Sequence, residues 1–177
     1  MKLTWFGGTT IRVHIGGAIL VVDPEGAPDG IDRTELVSGA DLVVDGFGGA
    51  LERVDGGQWK PRKPQRLLDE SDDLPPVEVW SAGEGAILVD AVGEVPLLLV
   101  AGPKPALGRW AEAAVVTIFG DAKAIVTAAQ AVLEDRSPRL LALAGTEAAI
   151  DAAIGPLRDK LDGTGLVALE AGLALEA

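Results

Sequence analysis

Two β-rich runs, Thr9 to Ile15 and Ala18 to Asp23, are separated only by Gly16-Gly17. A two-residue connection between antiparallel strands needs positive φ at its centre, and glycine adopts that without a Cβ penalty. The pair predicts an N-terminal hairpin and commits the first third of the chain to sheet. Met1 to Phe6 predicts another strand, with Gly7-Gly8 as a bend before Thr9. A buried strand is expected at Ala40 to Asp45, running straight into Gly46-Phe47-Gly48-Gly49-Ala50-Leu51. No side chain in that loop can bind a metal before Glu52.

From Arg53 to Pro76 the composition turns to Pro, Gly and charge with little apolar periodicity, which predicts a long surface loop. Strands are expected again at Val77 to Trp80, Ala86 to Ala91 and Val95 to Val100, separated by Gly-containing turns. Helix and strand then alternate: a short helix near Leu107 to Glu112, a strand at Ala114 to Phe119, and a helix from about Ala122 to Glu134. In that helix Ala122, Ile125, Val126, Ala129, Val132 and Leu133 form one apolar stripe, with Asp121 as its cap. A strand at Leu140 to Ala144 precedes a helix capped by Thr146, which should kink or restart at Gly155-Pro156 because proline lacks an amide hydrogen. Leu166 to Glu170 and Leu173 to Glu176 predict a terminal hairpin.

With 177 residues and no composition break that isolates a core, the expectation is one α/β domain over 1–177. The net charge of −12 argues against a general nucleic-acid binder, which needs clustered cations to displace counterions. One basic stretch, Lys60 to Arg66, is followed at once by acidic Asp69 to Asp73 and reads as a solvated loop. No cysteine is present, and neither a basic leader nor a run of roughly 20 apolar residues is found, so a cytoplasmic protein without a membrane association is expected.

Together, Met1 to Gly7, the strand end Val22-Asp23-Pro24 and the strand Ala40 to Val44 resemble the metallo-β-lactamase superfamily. The similarity is to its L-ascorbate-6-phosphate lactonase-like, Zn-dependent hydrolase branch. Leu97 to Gly102 is similar to that family's Phe-Ala-Gly-Asp strand, Val115 to Gly120 to its Leu-Pro-Ile-Gly-Gly segment, and Leu140 to Gly145 to its strand ending in histidine. The resemblance implies a compact four-layer αββα sandwich and, for ordinary members, one or two zinc ions that generate a hydroxide nucleophile. In this chain the positions matching the metal ligands are Gly8, Gly46, Gly48, Ala50, Leu51, Pro103 and Ala144 or Gly145, none of which has a donor side chain.

Two functional readings follow. The first is a catalytically inactive, metal-free member with a binding, regulatory or assembly role, its partner another protein or a second copy. Trp5, Trp59, Trp80 and Trp110 are the large anchors, and Trp59, in the polar stretch, is the one expected outside the core. The second is a hydrolase of a small ester, lactone or phosphoester whose site is rebuilt from carboxylates. Asp45, Glu52, Asp55 and Asp121, with Asp23 at the edge, are the candidates to hold Mg²⁺, Ca²⁺ or Zn²⁺, although 27 acidic residues make chance proximity common. Asp23 suits a structural hydrogen-bonding role better. The one histidine, His14, alternates with Ile11, Val13 and Ile15 and so faces away from the core. Gly46-Phe47-Gly48-Gly49 lacks the third glycine of a dinucleotide loop, since Leu51 stands there. No Gly-x-Ser-x-Gly elbow occurs either.

Overall fold

The computed structural model describes residues 1–48, 50–62 and 76–177. Among these described residues, eleven strands and three α-helices form a mixed α/β fold with two sheets. Strands β1 (Lys2–Gly7), β2 (Thr10–Ile15) and β3 (Ala18–Val22) form an antiparallel meander. The Gly16-Gly17 turn has φ of +56° and +81°, as its two glycines predict. Strand β4 (Leu42–Val44) adds parallel to β3, and β11 (Ala174–Glu176) adds antiparallel to β1, giving the order β11-β1-β2-β3-β4.

The second sheet has the order β10-β9-β8-β7-β6-β5. Its antiparallel half comprises β5 (Val77–Gly83), β6 (Ala86–Ala91) and β7 (Leu97–Val100). Its parallel half continues through β8 (Val115–Phe119), β9 (Leu140–Ala144) and β10 (Gly165–Ala168). Parallel neighbours need crossovers, supplied by α2 (Ala122–Asp135) and α3 (Glu147–Arg158).

Period-two alternation divides the apolar side chains by face. Leu3, Ile11, Val13 and Leu20 meet Ile87, Leu97, Leu99 and Val115 between the sheets. The opposite face of the second sheet, with Leu88, Leu98, Val116 and Leu141, is covered by Ile125, Ala129 and Val132 of α2 and Ala153 and Leu157 of α3. Small residues on the helices permit this close approach. The outer face of the first sheet has a thinner cover: Val21 and Phe6 lie under α1 (Arg33–Val37), which contributes Leu36 and Val37. Arg12, on β2, donates to the carbonyls of Leu36 (2.9 Å) and Ser38 (3.0 Å), neutralising the negative end of that helix.

Five expectations are corrected. Leu166 to Glu170 and Leu173 to Glu176 do not form a hairpin: β10 pairs with β9 in the second sheet, and β11 pairs with β1 in the first. Alternation identifies a strand but not its partner, and the intervening chain is held by both sheets, Leu169 N donating to Leu143 O and Gly172 N to Trp5 O. The Ala40 to Asp45 strand is an edge, not a buried element, with Leu42 36% and Val43 47% exposed because no strand of the described residues lies beyond it. Near Leu107 the chain forms a 3₁₀ turn at Arg109–Ala113 rather than an α-helix. Helix α3 runs through Pro156 without ending, since the lost bond concerns the carbonyl of exposed Ala152, on the water side.

Trp59 is the fifth. It is half-buried, its ring 5.2 Å from Trp110 and 5.8 Å from Trp80 in edge-to-face contacts. Residues 52–62 form a strap: 52–54 bridge the edge of β5 at Ser81, and Trp59 and Arg62 lie on the outer face of β5 and β6. Ser81 N donates to Glu52 O, Val54 N to Ser81 O, and Trp110 Nε1 to Gly56 O at 2.6 Å. Farther along, Arg62 Nε donates to Asp90 Oδ2 at 2.8 Å and lies 3.3 Å from Glu78 Oε2. Of the basic and acidic stretches expected at Lys60 to Asp73, all beyond Arg62 lies outside the described residues.

Candidate functional site

The strand ends on one side of the sandwich collect most of the positions matched to family ligands. Asp23, just after β3, ties that side together. Its carboxylate accepts from Thr9 Oγ1 and from Gly26 N, its carbonyl accepts from Thr10 Oγ1 at 2.7 Å, and its amide donates to Val44 O at 2.7 Å. These bonds hold Asp23 at φ 52°, a left-handed conformation that costs a non-glycine residue about 1 kcal/mol or more. Asp23 thus joins the Gly7-Gly8 turn, β3 and β4, and Gly46 lies alongside: a Cβ there would stand 3.5 Å from Asp23 Oδ1.

The loop after β4 turns apolar groups inward. Phe47 makes an edge-to-face contact with Phe119 at 5.6 Å, and Phe47 and Leu51 both pack against the inter-sheet core. At the end of β9, Gly120 N donates to Ala144 O, and a Cβ on Gly145 would lie 2.8 Å from both Gly120 O and Ile125 Cδ1. Any side chain at that position meets backbone. Trp5 Nε1 donates to Gly8 O, closing the opposite edge. Pro103 is exposed and lines a shallow apolar groove beside α2 with Phe119, Ala124 and Ala128.

The carboxylate candidates are dispersed in role. Asp121 accepts from Ala124 N at 2.8 Å and caps α2; Asp55 accepts from Gly57 N at 2.9 Å inside the strap. Asp45 and Glu52 are exposed on either side of the Phe47 loop. Among the described residues no group of three or more His, Asp or Glu side chains is spaced to hold a cation. Zinc, as the resemblance implies it, does not fit the residues present: the matched positions bring no donor atom, and the carboxylate of Asp23 is engaged by Thr9 and Gly26.

His14 is exposed on the outer face of the first sheet, as its alternation predicts. Partial burial, then the positive charges of Arg12 and Lys2, lower its pKa from the ordinary 6.5. Two features were missed by sequence reasoning. One is the Arg62–Asp90 pair, which joins residues 28 apart across the strap. The other is a groove between α3 and residues 168–171, floored by Trp5 and Leu169, for which the α3 pattern Glu147, Ile150, Asp151, Ile154 was a visible signal.

Comparison with solved structures places this architecture. Igni18, described as a novel metallo hydrolase from the hyperthermophilic archaeon Ignicoccus hospitalis KIN4/I, superimposes with a TM-score of 0.50 at 15% identity. The match covers 99% of this chain and 98% of that one. The chain has a metallo-hydrolase-like α/β fold. No protein-family model matches the sequence, and no curated protein does. No helix among the described residues is long and apolar enough to cross a membrane.

Proposed function

We propose that this chain is a metal-free, catalytically inactive protein built on a compact four-layer metallo-β-lactamase-like sandwich, with a binding, regulatory or assembly role in the cytoplasm. The observation that carries this reading is the packing of Phe47 and Leu51 against Phe119 and the inter-sheet core, in the loop matched to the family's ligand loop. A metal site needs converging lone pairs and room for a coordinated water. Here the corresponding loop contributes apolar side chains, and at Gly145 backbone stands where a side chain would begin.

The test combines retention of metal with turnover. Protein purified in turn with Zn²⁺, Mg²⁺ and Ca²⁺ is expected to retain no stoichiometric metal, to show no thermal shift on metal addition, and to leave phosphodiester, lactone and β-lactam substrates intact. Metal-dependent hydrolysis abolished by Asp45→Ala would overturn the reading in favour of a carboxylate-rebuilt hydrolase.

A further inference from the structure

The groove beside α3 borders the site just described and shares Trp5 and Gly145 with it. It encloses about 680 Å³, within the usual range of ligand-binding clefts. Its floor is apolar: Trp5, Ile150 and Leu169 are buried there, and Ile154 is left 42% exposed. Its rim is acidic, with Glu147, Asp151 and Glu170, and no Lys or Arg lines it. All three carboxylates are exposed, and none forms an ion pair among the described residues.

The bland explanation covers only one of them. Glu147 stands in the first turn of α3, where the helix dipole favours a negative charge. Asp151 is one turn farther along the same face, so the two repel at i, i+4, and aspartate has poor helix propensity. Glu170 closes the groove from the opposite wall. A site that breaks local rules without internal compensation is one where an external partner can supply it.

Strand β10 selects the shape of that partner. It is the last strand of the second sheet, so among the described residues its outer row of backbone groups faces no neighbouring strand. Ala168, at its end, lines the groove. An added strand along β10 would gain main-chain hydrogen bonds, and its end beside Ala168 would reach the groove. A second copy of this chain is disfavoured as occupant, because pairing groove on groove would bring two acidic rims together.

We infer that this groove and the free edge of β10 take an extended segment of another protein in which Lys or Arg alternates with apolar residues. The inference gives the binding role proposed above a partner class and rests on that role.

The experiment uses the full chain and a fluorescein-labelled peptide of alternating Lys and Leu, followed by anisotropy, with an alternating Glu and Leu peptide as control. Saturable binding of the basic peptide alone is expected. It should weaken about tenfold in the variant Glu147→Gln/Asp151→Asn/Glu170→Gln, which removes the three rim charges together. Ile154→Ser should weaken it independently. The variant Glu25→Gln/Asp29→Asn/Glu35→Gln, with the same change in net charge on the side of the first sheet, should bind as the parent does.

Equal loss in the two triple variants would reduce the effect to general attraction by an acidic protein and overturn the inference, as would absence of saturable binding. Self-association abolished by Ile154→Ser would overturn it in favour of a second copy. Hydrolysis assays run in parallel separate the two readings. Turnover with peptide binding intact removes the inactive-protein reading alone, whereas no turnover and no binding removes the groove.

Discussion

Residues 46–51 and 52–62 are consecutive in the chain yet use opposite chemistry on different faces of the second sheet. The first contributes Phe47 and Leu51 to the inter-sheet core. The second crosses the outer face and contributes Trp59 to an aromatic cluster and Arg62 to a buried carboxylate. Asp90 is completely buried, and its Oδ1 has no hydrogen-bond partner among the described residues. Burying a carboxylate is unfavourable unless a cation and hydrogen bonds accompany it. The chain thus retains a buried charge where it fastens a strap, and has none where the resemblance places a metal. Polar chemistry in this interior serves attachment.

The strongest way to break this contrast is Arg62→Ala. It leaves Asp90 buried beneath the strap without its guanidinium, and a loss of about 3 kcal/mol is expected in urea unfolding. The double replacement Arg62→Met/Asp90→Leu should recover most of it, because a well-packed apolar pair needs no compensation. If Arg62→Ala costs less than about 1 kcal/mol, the strap is held by its tryptophans and backbone bonds alone.

Next in size is Phe47→Ala. Phe47 is half-buried, so a loss of about 2 kcal/mol is expected, below the usual range for a fully buried phenylalanine. A neutral outcome would mean that the loop contributes little to the core, and the contrast with the strap would lose one side.

The smallest effect concerns pH. With its folded pKa below 6.5, neutral His14 contributes stability that is fully present above the unfolded value and is lost as pH falls through the folded one. His14→Gln should flatten the stability profile in the window just below 6.5. It should leave the more acidic limb, where the lowered pKa of Asp135, hydrogen-bonded by Lys104, acts in the same direction. An unchanged slope in that window would show that the imidazole has no part in it.

Much of the scaffold was legible because its elements obey a simple period. The Gly16-Gly17 hairpin follows from its glycines, β6 to β9 from short apolar runs bounded by turns, and the α2 stripe from helical spacing, with Asp121 and Thr146 at their expected N-caps. Helix α1 was not legible: five residues are too few for a periodic signal, although Asp32 followed by Glu35 marks a start, and Asp32 accepts from Thr34 N and Glu35 N. The misassigned terminal hairpin and the exposure of Leu42 and Val43 share one cause. Local pattern specifies a strand, while its neighbours are decided by the rest of the chain. In the candidate site, Asp23 was visible as a hydrogen-bonding aspartate, but its link to Thr9 and Val44 depends on three separate strand ends. Trp80 and Trp110 beside Trp59, and Asp90 beneath Arg62, lie more than 20 residues away, beyond the reach of any window.

The pairing of β1 with β11, in register from Lys2 opposite Glu176 to Thr4 opposite Ala174, sets a timetable for assembly. On a ribosome, β1 emerges long before β11, with the whole second sheet encoded between them. The meander β1-β2-β3 can form early, but its β1 side stays an open edge while the whole second sheet is synthesised. Closing a contact of such separation in sequence is slow and comes late. Until it closes, that unfinished edge is the place where a nascent chain of this protein is most exposed to wrong pairing.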